Sequence, residues 1–500
     1  MKHLYTLRRG GLAVLFAASL SACESPKENA APLGASPNQN DKKSSPEYGA
    51  ADFAGPAGGS NTVNVSDEMA LGTPSPALSG SELVSHIEGR KAFEQEFSLQ
   101  QLAPLWNNEK CSGCHVNGGR SKLSASNPLI PQLLFRVSIP GTNDDGGPKP
   151  VPGFGDQIQP FIVEGGVRAV GAEGRVSITY VEQLRSFVDG QQYSLRTPTY
   201  APTASLPSDV MVSPRIGSQV TGLGLLEAVE EHDIETLADP SDKNKDGISG
   251  RPNRVWDVAL QKETLGRFGW KANQPNLLQQ AAAAFNGDLG ITSPFFPLES
   301  DAPGGGRNKK GPGKAMSSSG LGSLTAAAAM LHTTASSTAV TDINADFLFA
   351  TAFYTGTLGV PAARNSSDPQ VLAGQALFVA AKCASCHTPV LKTGAKAPFG
   401  LSNQTIHPYT DLLLHDMGPG LADGRPDFLA TGSEWRTAPL WGTGLSATTS
   451  KHTFFLHDGR ARNVMEAIMW HGGEGDASRR YVEQLSQTER DALVAFVNSL

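Results

Sequence analysis

The chain has 500 residues, with 41 Lys plus Arg against 48 Asp plus Glu, a formal net charge of −7. No basic block or aromatic-basic stripe interrupts this near balance, which excludes a nucleic-acid surface as the organising feature. Gly (54) and Pro (34) make turns abundant, and five cysteines in 500 residues are too few for a disulfide-built scaffold.

The N-terminal residues 1–22 read as a signal peptide. Lys2, Arg8 and Arg9 give a cationic start, Gly11 to Leu20 an apolar run, and small residues precede Cys23. The run is too short for a permanent membrane span. Leu20-Ser21-Ala22-Cys23 has the form of a lipoprotein cleavage box, so Cys23 is expected to be lipidated. Lipidated Cys23 would hold the protein on the periplasmic side of a bacterial membrane, the outer one expected. The alternative is an ordinary signal peptide with an incidental cysteine. Residues 23–80 are rich in Ser, Pro, Gly, Ala and Asn and are expected to form a disordered tether.

Cys111-Ser112-Gly113-Cys114-His115 is a C-x-x-C-H run, and Cys383-Ala384-Ser385-Cys386-His387 is a second. This is the pattern of covalent haem attachment: two thiols add to the porphyrin edge, and the next imidazole reaches the iron. Zinc or disulfides are the bland alternatives, but the two pairs lie far apart and each carries its own His. Two covalently bound c-type haems are therefore expected, with His115 and His387 on iron. The pairs define an N-terminal haem domain over 81–340 and a C-terminal cytochrome c-like domain over 341–500.

Between them, Asp242-Lys243-Asn244-Lys245-Asp246-Gly247 matches the start of a calcium loop, with Asp242, Asn244 and Asp246 as oxygen ligands. The twelfth position is Asn253 instead of the usual Glu, so a plain Asp/Asn/Gly turn stays open. Asp368-Pro369 is an N-cap with proline at the first helical position, opening a helix that enters Cys383. Ser486-Gln487-Thr488-Glu489 is a capping box before the apolar stripe Leu493, Val494, Phe496, Val497 and Leu500. The expected fold is mainly α: two cytochrome c-like haem domains with long loops and a few short strands. A weak internal repeat lays Leu226-Glu227-Ala228-Val229-Glu230-Glu231-His232 on Met465-Glu466-Ala467-Ile468-Met469-Trp470-His471. A second lays Arg196-Thr197-Pro198 on Arg436-Thr437-Ala438-Pro439.

The two haem runs resemble those of the di-haem oxidoreductases, peroxidase-like proteins also labelled CxxC thiol oxidoreductases and related to bacterial di-haem cytochrome c peroxidases. The likeness extends through Phe154-Gly155-Asp156-Gln157, Gly222 to Glu227, Leu265 to Ala272, Glu434 to Gly442 and Leu456 to Glu474. It implies an exported oxidoreductase. A periplasmic electron donor, a small cytochrome or copper protein, would feed the C-terminal haem, and the N-terminal haem would reduce hydrogen peroxide or a related oxidant; a non-catalytic di-haem electron carrier and oxidative modification of a partner protein are the alternatives.

The resemblance also implies a sixth ligand for the C-terminal iron, at His471, with Met417 as its rival. His457 reads as structural. For the N-terminal iron the repeat nominates His232, but its acidic neighbours suit a solvent-exposed turn, so an open sixth site is expected. There Glu227 would move the proton, or serve as a helix-surface glutamate. Arg196 or Arg215 would steady developing charge. Trp106, Trp256 and Trp270 are candidates for a tryptophan between the haems. With four cysteines on haem and one on lipid, no redox dithiol remains.

Overall fold

The structure, a computed structural model, describes residues 47–99, 101–102, 105–121, 133–164, 167–170, 173–203, 205–298 and 341–500. The signal segment, Cys23 and the first part of the expected tether lie outside these residues.

A helix precedes each haem run, at a distance for the first and leading directly into Cys383 for the second. Gly80–Glu94 begins with a Ser79/Glu82 capping box. Pro369–Ala380 begins at Asp368, whose carboxylate accepts from the Gln370 N–H at 2.7 Å. Each helix packs on a later one: Gly80–Glu94 on Ala345–Gly356, and Pro369–Ala380 on Gln487–Ser499. A glycine permits each close approach. A Cβ at Gly89 would stand 2.3 Å from the Ala350 carbonyl oxygen, and one at Gly374 2.0 Å from that of Ala492. Helix Ala345–Gly356 also packs on Leu277–Leu289. By packing it completes the N-terminal half, although it lies beyond residue 340.

The expectation of a mainly α fold is wrong. Helical residues make up 32% and strand residues 21%. Much of the strand content falls between the haem runs. Leu133–Thr142 pairs antiparallel with Met211–Ile216, and its Leu133, Phe135 and Val137 face the core in alternation. Val176–Ser186 and Gln192–Pro202 form a hairpin of two eleven-residue strands. These stretches are rich in β-branched and aromatic residues at period two, a pattern that favours strand over helix.

The disordered tether is also corrected over its described part. Thr62–Val63 pairs in parallel with Val360–Pro361, and Leu71 is 1% exposed. The Ser75 hydroxyl donates to the Asn61 side-chain oxygen at 2.6 Å, with both residues buried. Sparse apolar residues suffice here because they insert singly into the neighbouring body instead of building a core of their own. Among the described residues no helix is long and apolar enough to cross a membrane.

Candidate functional site

The C-terminal run follows a left-handed residue, Lys382 (φ 60°), which turns the chain out of the preceding helix. The His387 N–H then donates to the Cys383 carbonyl at 2.9 Å, gathering Cys383, Cys386 and His387 on one cavity. His471 and Met417 line the same cavity. At the N-terminal run, the His115 N–H donates to the Cys111 carbonyl at 3.0 Å. Cys111 and His115 line a second cavity. The cavities enclose 1410 and 1400 Å³ of atom-free space, solvent at their mouths included. Their near-equal size suits two copies of one large group.

Three imidazoles share one arrangement. His387 Nδ1 donates to the Tyr409 carbonyl at 2.9 Å, His471 Nδ1 to that of Ala467 at 2.7 Å, and His115 Nδ1 to that of Ser218 at 2.7 Å. A carbonyl only accepts, so the proton sits on Nδ1 and the Nε2 lone pair is free. This is how iron- and zinc-binding histidines are commonly oriented. Burial lowers all three affinities for a second proton, that of His387 to about 4. His471 also lowers that of His387 electrostatically, which places the two rings near each other.

The four cysteines of the runs form no disulfide. Burial pushes the Cys111, Cys114 and Cys383 thiols up to about 12 and raises Cys386 as well. Burial thus favours their neutral form over the thiolate of a reactive dithiol. The two runs also line separate cavities, which excludes one shared metal.

Arg120, Trp270, Arg436, Ala438 and Pro439 line both cavities and form the wall between them. Of the three tryptophan candidates, Trp270 is therefore the one between the sites. Its indole N–H donates to the Ile216 carbonyl at 2.8 Å. Trp106 is buried in an apolar cluster, and Trp256 lines a different cavity. Arg120 is 8% exposed, and its Nε and Nη1 have no hydrogen-bond partner. Its guanidinium lies 5.7 Å from the Trp270 ring centroid and 5.4 Å from that of Phe455. An unpaired buried cation is costly. The carboxylates of a haem in either cavity would supply what Arg120 lacks, so the residues present fit that group. Sequence reasoning missed Arg120, although it stands only five residues beyond His115.

The remaining expected residues divide. Arg215 lines the N-terminal cavity, 2.9 Å from the Asp427 carboxylate. Arg196 lines neither cavity. Its guanidinium donates to the Arg460 and Gly459 carbonyls, bracing the 457–462 loop. Glu227 also lines neither; its carboxylate accepts from the Leu277 N–H at 2.9 Å, at the start of helix Leu277–Leu289. Its counterpart in the repeat, Glu466, likewise accepts from the Arg462 N–H at 2.9 Å. The repeat therefore marks two structural glutamates. It diverges afterwards: helix Leu223–Ala228 breaks at Val229 and His232 is exposed, whereas His471 is turned into its cavity.

His457 stacks on Trp435 at 3.8 Å and 11°, within the C-terminal cavity wall, consistent with a structural part. In the 242–250 loop, Asp242 accepts from the Gly247 N–H and Asp246 from the Ile248 N–H. Among the described residues no cluster of three or more His, Cys, Asp or Glu is placed to hold a metal ion.

One tight cluster was not anticipated. Both nitrogens of buried His415 face carboxylates, Asp411 at 2.8 Å and Glu474 at 2.6 Å. Glu474 also accepts from the Ser249 hydroxyl and the Ser249 and Asp416 N–H groups. It therefore ties the 242–250 loop to the segment that carries His471.

Residues 53–500 match the family described as "Di-haem oxidoreductase, putative peroxidase". No curated protein and no solved structure matches the chain.

Proposed function

We propose that this chain, which belongs to the di-haem oxidoreductase family and takes haem cofactors as that family does, reduces hydrogen peroxide. Reduction would occur at its N-terminal haem, with electrons relayed from the C-terminal one. In this reading both haems are c-type, held by thioethers to Cys111 and Cys114 and to Cys383 and Cys386. His115 and His387 are the proximal ligands. A lipid on Cys23 anchors the exported protein on the periplasmic side of the membrane, and a small periplasmic cytochrome or copper protein supplies electrons.

The observation that carries the proposal is an asymmetry. The C-terminal cavity is lined by two histidines with free Nε2, His387 and His471, and by Met417. Among the described residues lining the N-terminal cavity, His115 is the only histidine and there is no methionine. A six-coordinate iron passes electrons, while an open position binds an oxidant.

Reducing one hydrogen peroxide to two waters takes two electrons and two protons, and two haems store two electrons. The chain's own residues position and protonate. Trp270 lines both cavities. Arg120 and Arg436 place positive charge at that wall, favouring arrival of electrons. Arg436 is fixed by its bond to the Gly269 carbonyl at 2.9 Å. With Glu227 engaged elsewhere, the carboxylate lining the N-terminal cavity is Asp288. It accepts from the Gln157 amide at 3.0 Å and stands 3.6 Å from Arg136. It is the group placed to move a proton there.

The test uses purified protein with both haems reduced. Peroxide should oxidise both, with one equivalent consumed per molecule. Low-temperature electron paramagnetic resonance of the oxidised form should show one high-spin and one low-spin iron. Two low-spin signals without peroxide reactivity would instead identify an electron carrier.

A further inference from the structure

A smaller cavity adjoins the N-terminal one. Arg136, Asn273 and Gln274 line both, so three polar side chains form the partition. The rim of the smaller cavity includes the partly exposed Asp145, Pro148, Pro150 and Phe428, while its floor is buried.

That floor is chemically incomplete. Gln274 is 7% exposed, and its side-chain oxygen has no hydrogen-bond partner. Arg425 is 2% exposed, and its Nε has none. Its Nη1 is already directed at Asp427, at 3.3 Å. One cavity thus holds an unpaired acceptor and an unpaired donor, both buried, and leaving either unmade is costly. A molecule that donates and accepts through the same few atoms would satisfy both.

Size and charge narrow the class. The space open to water-sized molecules is about 50 Å³. One water needs roughly 10–15 Å³ on that measure, so the cavity takes about three to five waters, or a dioxygen-sized polar molecule with about one to three. A branched organic hydroperoxide does not fit. Arg136 and Arg425, together with Arg215 paired to Asp427 at 2.9 Å, offset Asp145, Asp156 and Asp427, so the lining selects for neither anion nor cation.

We propose that this cavity admits and holds a small neutral oxidant of the hydrogen peroxide class, and passes it to the N-terminal haem across the Arg136–Gln274 partition. The inference rests on the peroxide reading above and gives that reading its route and its size limit. Gln274 then acts on substrate in transit and not on bond cleavage.

The experiment uses the haem-loaded full chain in rapid mixing, with both haems reduced. Hydrogen peroxide and tert-butyl hydroperoxide are the oxidants, and cyanide binding to the oxidised N-terminal haem serves as the structural readout. Gln274→Leu keeps the volume and removes the acceptor. It should slow the hydrogen peroxide reaction about three- to tenfold, the loss of one neutral hydrogen bond. Pro150→Trp narrows the mouth. It should slow both peroxide reaction and cyanide association by at least about tenfold, with cyanide's equilibrium affinity and the haem spectra unchanged. Gln274→Ala should open the partition and selectively speed tert-butyl hydroperoxide. If the unaltered protein reacts with peroxide and all three variants keep its rates and its selectivity, the route is refuted while the peroxidase reading stands. If the unaltered protein does not react with peroxide, the peroxidase reading itself has failed.

Discussion

Substituting Glu474→Gln should remove an acid-sensitive tie while keeping the side chain's shape. The Glu474 carboxyl is held down at about 2, from an ordinary 4.5, despite a burial cost that works the other way. The holding forces are its bond to His415, the charge of His415, and donation from Ser249 and the Asp416 N–H. The shift is about 2.5 units, which at 1.36 kcal/mol per unit amounts to about 3 kcal/mol. The side chain is 11% exposed, so little of this is lost to solvent screening. Because the folded-state value is depressed, the contribution is complete above pH 4.5 and disappears as pH falls through 2. Urea midpoints of the haem-loaded protein, measured from pH 7 to pH 3, give the check. The variant should be less stable by about 3 kcal/mol at pH 7, and its deficit should shrink steadily below pH 4.5. A deficit that stays constant with pH, or none at all, would refute the reasoning.

Arg120→Leu should lower the midpoint potentials of both haems, on the order of tens of millivolts, because one buried cation borders both cavities. A shift at one haem alone in a potentiometric titration would count against a shared wall. His471→Met should leave the C-terminal haem low-spin but raise its potential. Unchanged potential and spectra would mean that His471 does not reach the iron. Trp270→Leu should slow electron passage between the haems in flash reduction, with both potentials unaltered. Asp288→Asn should cut peroxide turnover by about a hundredfold while cyanide affinity holds.

The chemistry-bearing residues were legible where chemistry fixes their spacing. The C-x-x-C-H pattern places two thiols and an imidazole within five consecutive positions, so both runs could be picked out as candidate haem sites without a fold. The helix starts at Asp368 and Ser486 were equally local, since a cap satisfies donors two or three residues away. What escaped was set by distant partners. Arg120 looks like any arginine until residues 270 and 455 are brought to it, and Glu227 looks like a catalytic acid until the start of the 277–289 helix claims its oxygen. The strands between the haem runs carry a period-two pattern that was present in the sequence but outweighed by the abundance of Gly and Pro. The repeat around Glu227 and Glu466 was real in its capping glutamates and misleading in its histidines, because a backbone break at Val229 leaves only His471 in a cavity.

The wall of the first haem cavity has a consequence for how the protein is made. Thr351, Thr355, Arg436, Ala438 and Pro439 line the cavity that begins at Cys111, so it is closed by chain emerging hundreds of residues later. If the protein is exported and its haems are attached as proposed above, the N-terminal run would leave the membrane without this roof. An attachment machinery would then meet Cys111 and Cys114 on an open, unfolded segment. On that reading the prosthetic groups come first and enclosure afterwards.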